Sequence, residues 1–465
     1  MRLAYRIKQV PDLLRALRAG RELIAHDDWS PQRLADHQQA ALRAIVHHAA
    51  TRSPFYRELY AGLDLDGPID LETLPTIDKA TLMERFDDVV TDPALRLARL
   101  EAHLDGLARD ELYRGTYRAM VTGGTTGRRG VFVFSRADWR TGMAQSARWF
   151  DAVGIAPRVP RRRRLAMVGA VSALHMTARF GMSMDMGAHR ILRVDARRPV
   201  RDQVGPLSAF GPDAILGYPS ALALLAIEQI EGRLDLAPEM VSTTSEVRTE
   251  DMRRLIVEAW DREPYDCYGI TEGGIVGTDC REHAGLHLAE DLVIMEVVDA
   301  AGRAVRDGEV GDRVLVTNLF KRTQPIIRYE LSDLLRVTSE PCPCGRPYRR
   351  ALAVEGRSDD VLHLPGRDGR TVAVPPIAVR SPLAGFAGVR QYRVVHDDEG
   401  LHVDAALRTG VAIDATVHDV RAALQRGLSE LGADGVDVDV RVVDALARDP
   451  GPANKFKLVE SRVER

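Results

Sequence analysis

Residues 122–130 read TGGTTGRRG. Glycines and threonines at that density favour neither helix nor strand, and they suit a loop that approaches a polyanion closely. Its backbone N–H groups and threonine hydroxyls would donate to phosphate oxygens. The spacing is not that of the P-loop, which needs G-x-x-x-x-G-K-[ST], and a structural hairpin loop is the plain alternative. A second run, YGITEGG at 268–274, sets Glu272 beside Thr271 and two glycines just past an apolar stretch. A carboxylate there suits Mg²⁺ on a nucleotide, because Mg²⁺ takes one or two carboxylates together with phosphate oxygens. PIIRYELSD at 325–333 ends on Asp333, an acceptor for ribose hydroxyls or a simple turn residue. EGRSDD at 355–360 and a lysine near the end, Lys455, complete the series. The chain has five lysines (8, 79, 321, 455 and 457) against 59 arginines. Where arginine is the default cation, a lysine marks a place that wants a compact ammonium.

Cys280, His287, Cys342 and Cys344 form a separate set. The C-x₆-H and C-x-C pairs both fall in a β-rich stretch, and three thiolates with one imidazole suit tetrahedral Zn²⁺. PCPCGR (341–346) reads as a knuckle whose Gly345 allows the tight turn. His283 competes with His287, which is preferred because it opens the LHL strand. The fourth cysteine, Cys267, precedes YGITE and reads as a buried core thiol.

These residues need a scaffold, and the chain supplies an α/β one. Its 465 residues suit two or three domains. A net charge of −3 carries no basic excess, which argues against nucleic acid as partner. No run of about 18 apolar residues predicts a membrane span. Met1–Gly20 is basic and amphipathic without a cleavable apolar core, so it reads as a surface helix rather than a leader. Together with the cysteine usage, this points to the cytoplasm. Residues 1 to about 110 read as helical, notably Pro31–Ala50 and Asp92–Glu111, with Thr76 or Asp78 capping a helix in LPTIDKAT. Residues 119–134 read as strand, loop, strand. Alternating strands and helices follow, with strands at 165–173, 189–194, 214–220 and 240–246, and the stretch 286–335 reads as all β. A large α/β domain with a β-rich part at 280–350 is expected over 1–356. A small α+β domain is expected over 357–465.

The order of the motifs resembles the adenylate-forming ligase superfamily, and more closely the phenylacetate–CoA ligase family. Supporting strings are SE at 245–246, GYPS at 217–220, GLHLAED at 285–291, PIIRY at 325–329 and PCPCGR at 341–346. The resemblance spans roughly residues 50 to 460. It implies a large domain and a small mobile domain enclosing ATP and a carboxylate, which react to an acyl-adenylate and pyrophosphate. On it, Thr122, Gly123, Gly124, Thr125, Thr126 and Gly127 would wrap the phosphates. Ser245 and Glu246 would lie against the adenine, and Tyr268 with Gly269 near the base. Thr271 would bond the α-phosphate and Glu272 would hold Mg²⁺. Asp333, helped by Arg357, would bind the ribose, and Asp359 would be the hinge. Lys455 would bridge carboxylate and phosphate oxygens, with Lys457 as fallback. Some members of the family carry a structural zinc where the Cys/His set falls.

The acid pocket is expected near 170–176 and 217–220, with His175, Gly217 and Tyr218 as its residues and an aryl or arylacetic acid as its occupant. The loop continues into Arg128-Arg129-Gly130 rather than proline or lysine, and Ser332 replaces the usual glycine before Asp333. After GRSDD the chain reads VLHLPGRDGRTVAVPP in place of the family's Asn-Val-Phe-Pro-like run. That last departure counts against coenzyme A, so the acceptor is left open. Coenzyme A is the first choice, and an amine, nitrite for diazotisation or a carrier-protein thiol are alternatives. A non-catalytic nucleotide-binding relative is the reading from another class. A homodimer is compatible with all of these.

Overall fold

The computed structural model describes residues 2–122, 130–155, 162–184, 189–357, 361–366, 370–374, 378–379, 383, 386, 388–444, 446 and 457–463, with side chains for all but 2–13, 357, 373 and 390. The expected glycine-loop residues Gly123, Gly124, Thr125, Thr126 and Gly127 lie outside them, as do Asp359 and Lys455 and the side chain of Arg357.

The first quarter is helical. Pro31–Arg52 begins on a Ser30 cap with proline in its first turn, and Asp78 rather than Thr76 caps Lys79–Glu84 by accepting from the Thr81 N–H. The expected Asp92–Glu111 helix is confined to Leu97–Asp105. The first helix, Arg2–His26, is not a plain surface helix. Ala16, Gly20 and Leu23 are buried, and a Cβ on Gly20 would come within 2.9 Å of the Ala147 Cβ in the helix Arg136–Ala152. That second helix starts with a capping box between Ser135 and Asp138.

Strands β1 (Arg118–Val121) and β2 (Val131–Phe134) form a fully buried antiparallel hairpin around the Gly/Thr loop. A nine-stranded mixed sheet forms the centre. Its parallel half contains β3 (Arg163–Gly169), β4 (His189–Asp195), β5 (Ala214–Gly217), β6 (Met240–Thr244) and β7 (Tyr265–Ile270), in the order 4-3-5-6-7. β5 and β6 are buried at every residue, as a parallel sheet covered on both faces requires. The sheet continues antiparallel through β8 (Gly274–Thr278), β9 (Leu286–Leu288), and then β14 (Arg350–Arg357) and β13 (Asp333–Thr338). β10 (Val293–Val298), β11 (Arg313–Asn318) and β12 (Tyr329–Leu331) make a separate antiparallel sheet.

Beyond residue 360, β15 (Leu362–Pro365) and β16 (Thr371–Val374) form a hairpin. A four-stranded sheet follows, built from β17 (Val389–Asp397), β18 (Gly400–Leu407), β19 (Val438–Val442) and β20 (Val459–Ser461). The amphipathic helix Ile413–Glu430 buries Val420, Leu424 and Leu428 in the core of this part. No helix among the described residues is long and apolar enough to cross a membrane.

Candidate active site

In an open parallel sheet, ligands gather beyond the carboxyl ends of the strands. The candidate residues do so here. β5 ends on Gly217 and passes to Tyr218, β6 ends on Thr244 and passes to Ser245, and β7 ends on Ile270 and passes to Thr271. Together they open onto a cavity of about 110 Å³. Its walls are Trp149, Phe150, Met167, Phe180, Met184 and Leu216, and its rim carries His175, Tyr218, Ser245, Gly269 and Thr271. The lining holds no lysine, arginine or carboxylate among the described residues.

Each expected residue has a definite place. Ser245 has φ +70, outside the ordinary range for a residue with a side chain. Glu246 accepts from the hydroxyl of Ser220 at 2.6 Å and from its N–H at 3.3 Å, and so closes the start of the helix Pro219–Ile230. Glu272 is buried in the turn between β7 and β8. Tyr268 is buried in β7, where a register shift at Tyr268/Gly269 marks a bulge. Asp333 opens β13, and the strand register sets it opposite Arg357. Thr122 stands at the base of the glycine loop, where its hydroxyl accepts from the Gly130 N–H. Gly217 lines a small adjoining space that shares Met167, Leu216, Tyr218 and Thr244 with the cavity. A Cβ there would lie 2.6 Å from the Val168 carbonyl oxygen, so its role is close packing of β5 on β3. Cys267 is buried, as expected, and burial pushes its thiol up. It also faces the cavity, which its sequence context did not suggest. The aromatic walls and Met184 come from the helices Arg136–Ala152 and Met176–Met184, whose spacing reads only as core, and Met167 comes from β3.

The Cys/His set converges. Ligand atoms of Cys280, His287, Cys342 and Cys344 all lie within 4.8 Å of one another. The Cys280 and Cys342 sulfurs are 3.8 Å apart, and Cys344 Sγ is 3.2 Å from His287 Nε2. Two sulfurs each about 2.3 Å from a tetrahedral zinc lie roughly 3.8 Å apart, so the spacing fits that ion. Gly345, at φ +84, turns the knuckle and donates to the Cys342 carbonyl. Burial, then Arg346 and Arg350, push His287 down to about 4, which keeps a neutral imidazole available. Burial pushes Cys280 up to about 12. A bound metal reverses that by taking the thiolate. His283 is engaged elsewhere: its Nδ1 lies 2.9 Å from Asp279 and its ring packs on Tyr265.

No family model matches the chain. A phenylacetate–CoA ligase of Thermus thermophilus is 29% identical over 400 residues, covering 81% of each chain. The chain thus resembles phenylacetate–CoA ligases over four-fifths of its length. A 2-hydroxyisobutyryl-CoA ligase in its postadenylation state superposes with a TM-score of 0.73 at 22% identity, covering 95% of this chain and 91% of that one. The same ligase in its thioesterification state gives 0.58 at 22% identity, over 94% and 92%.

Proposed function

We propose that the chain is an ATP-dependent, AMP-forming ligase that adenylates an aryl or arylacetic acid and passes the acyl group to a thiol, coenzyme A being the first candidate. The observation that carries the reading is the apolar cavity roofed by Thr271, Ser245 and Tyr218 at the strand ends, beside Glu272 and the Gly/Thr hairpin. The apolar walls formed by Trp149, Phe150, Phe180, Met184 and Leu216, with no fixed charge among the described lining residues, favour an acid with one carboxylate and an apolar body. A second carboxylate would enter without a partner, which is costly in a dry site.

Little covalent chemistry falls to the protein. The residues bring the carboxylate against the α-phosphate and stabilise charge at phosphorus. Thr122 and the glycine loop would hold the phosphates, Thr271 the α-phosphate, and Asp333 with Arg357 the ribose. Glu272 would hold Mg²⁺, whose charge offsets that of the phosphates. Residues 357–465 would act as a mobile domain turning at Asp359 and delivering the Lys455 ammonium. The Cys280–His287–Cys342–Cys344 set would hold a structural zinc, since a closed Cys₃His site leaves no position for water.

Carboxylate-dependent exchange of pyrophosphate into ATP, run over a panel of aryl, arylacetic and aliphatic acids, tests the first step. Absence of exchange with every acid would sink the reading. The run 361–376, which departs from the family pattern, favours a second acceptor. Product masses with and without coenzyme A, an amine, nitrite or a carrier protein decide between them.

A further inference from the structure

Lys321 is fully buried, at 0% exposure. Its Nζ donates to the Glu272 carbonyl at 3.3 Å and to Gln324 Oε1 at 3.3 Å, and lies 4.1 Å from the centre of the Phe134 ring. Gln324 is bonded in turn to β2. Its Oε1 accepts from the Val133 N–H at 2.9 Å and its Nε2 donates to the Val131 carbonyl at 3.2 Å. The segment that carries both side chains is itself held. Asn318 Oδ1 accepts from the N–H groups of Phe320 and Lys321, and Asp138 accepts from that of Arg322. Asn318 also packs on the glutamate turn, since a Cβ on Gly273 would meet its Nδ2 at 3.2 Å.

We propose that Lys321 is a positioning residue for the phosphate end of the nucleotide site, linking the Thr271–Gly273 turn to the hairpin that carries the Gly/Thr loop. The inference rests on the reading of these two elements as the ATP site. The two halves are far apart in sequence and belong to different sheets, so their spacing must be fixed by a side chain that reaches both. An ammonium with donors in several directions, resting on a ring, does this from a fully buried position. Burial pushes the group down to about 7, against the pull of Asp138 and Glu272. Keeping a cation there costs stability, and an apolar side chain would serve a purely structural role better.

The experiment compares Lys321→Met and Gln324→Met with the parent chain. Met fills the space and removes the link. ATP affinity is measured by calorimetry, and the KM values for ATP and for the acid by pyrophosphate exchange. The expected result for both variants is an ATP Kd and KM raised about tenfold or more, with the acid KM within about twofold, from the loss of charge-assisted hydrogen bonds. Gln324→Met keeps the lysine and its bond to the Glu272 carbonyl but removes its tie to β2, together with the two Gln324 bonds to the β2 backbone, so it decides the matter if Lys321→Met does not fold. ATP affinity unchanged in a folded variant, or both KM values rising together, overturns the proposal and leaves the ligase reading standing. A parent chain that neither binds ATP nor exchanges pyrophosphate overturns both.

Discussion

Replacing Arg148 by methionine isolates the charge cluster that joins three distant parts of the chain. Arg148 lies on the helix Arg136–Ala152, whose Ser146, Trp149 and Phe150 line the cavity. Its guanidinium grips Asp291 with two bonds, 2.8 and 3.0 Å long, and donates to the Tyr348 hydroxyl at 3.0 Å beyond the cysteine knuckle. Asp291 also meets His26 at 2.8 Å, and Asp27 meets Arg346 at 3.0 Å. The Asp291 side chain has 0% exposure and that of Arg148 has 6%. Removing one partner of so buried a pair leaves the other charge without compensation, at a cost of about 3–5 kcal/mol. Urea unfolding of the parent, Arg148→Met, Asp291→Asn and the double variant measures it. The double variant should recover about 2 kcal/mol relative to the sum of the singles, since the orphaned charge is gone. A loss under about 1 kcal/mol for Arg148→Met, or singles that add within about 0.5 kcal/mol, would refute the reasoning.

The same cluster fixes a sign in pH. Burial pushes the Asp291 carboxyl up, but Arg148 and His26 outweigh it and hold the carboxyl below the usual carboxylate range. Its folded pKa is therefore below the unfolded one. The stability it contributes is present above the ordinary carboxylate pKa and is lost as pH falls through the folded value. Without Arg148, burial prevails and the folded pKa rises above the unfolded one, so the ionised carboxyl opposes folding and its protonation relieves the penalty. The gap between Arg148→Met and its parent should thus be narrower at about pH 5 than at about pH 8. Asp27 lies 3.7 Å from Arg148, so losing Arg148 raises its carboxyl too and adds to the same trend, while Arg346 and Tyr348 face the cluster in both chains. A gap that widens on acidification would contradict the assignment.

Three further outcomes are expected. Lys455→Arg should cut pyrophosphate exchange by about a hundredfold or more while ATP binding stays near that of the parent, because a fork cannot replace a point charge between carboxylate and phosphate. Cys344→Ala should drop zinc, read by metal analysis, from about one equivalent to near none and lower the melting temperature, as loss of a metal ligand removes binding energy coupled to folding. Ile275 lies on β8 and lines the cavity, so Ile275→Phe should fill it and lower kcat/KM for ring-bearing acids by about tenfold or more with the KM for ATP unchanged.

What the sequence disclosed divides along a physical line. The strand-end positions of Thr271, Ser245 and Thr122 were legible because each follows an apolar strand, so a local run carries the signal of where the chain turns. The Cys/His set was legible as two short pairs. What joins them is the pairing of β9 with β14, where His287 stands opposite Arg350, six residues beyond Cys344. The cavity walls were not legible. Trp149, Phe180 and Met184 sit on helices whose apolar faces look the same whether they meet a sheet or a substrate. Lys321 and Arg148 were missed for the opposite reason: a charged residue in a sequence reads as solvated, and only the fold shows it buried. For Lys321 one signal existed. In a chain that uses arginine nearly throughout, each lysine is a position where the planar fork was not adopted, and a fully enclosed site bounded by the Phe134 ring and the Glu272 turn is such a position. The lysine count therefore points to buried sites as well as to catalytic ones, and Lys321→Met against Lys455→Arg separates the two meanings through the KM for ATP in one and the rate of adenylation in the other.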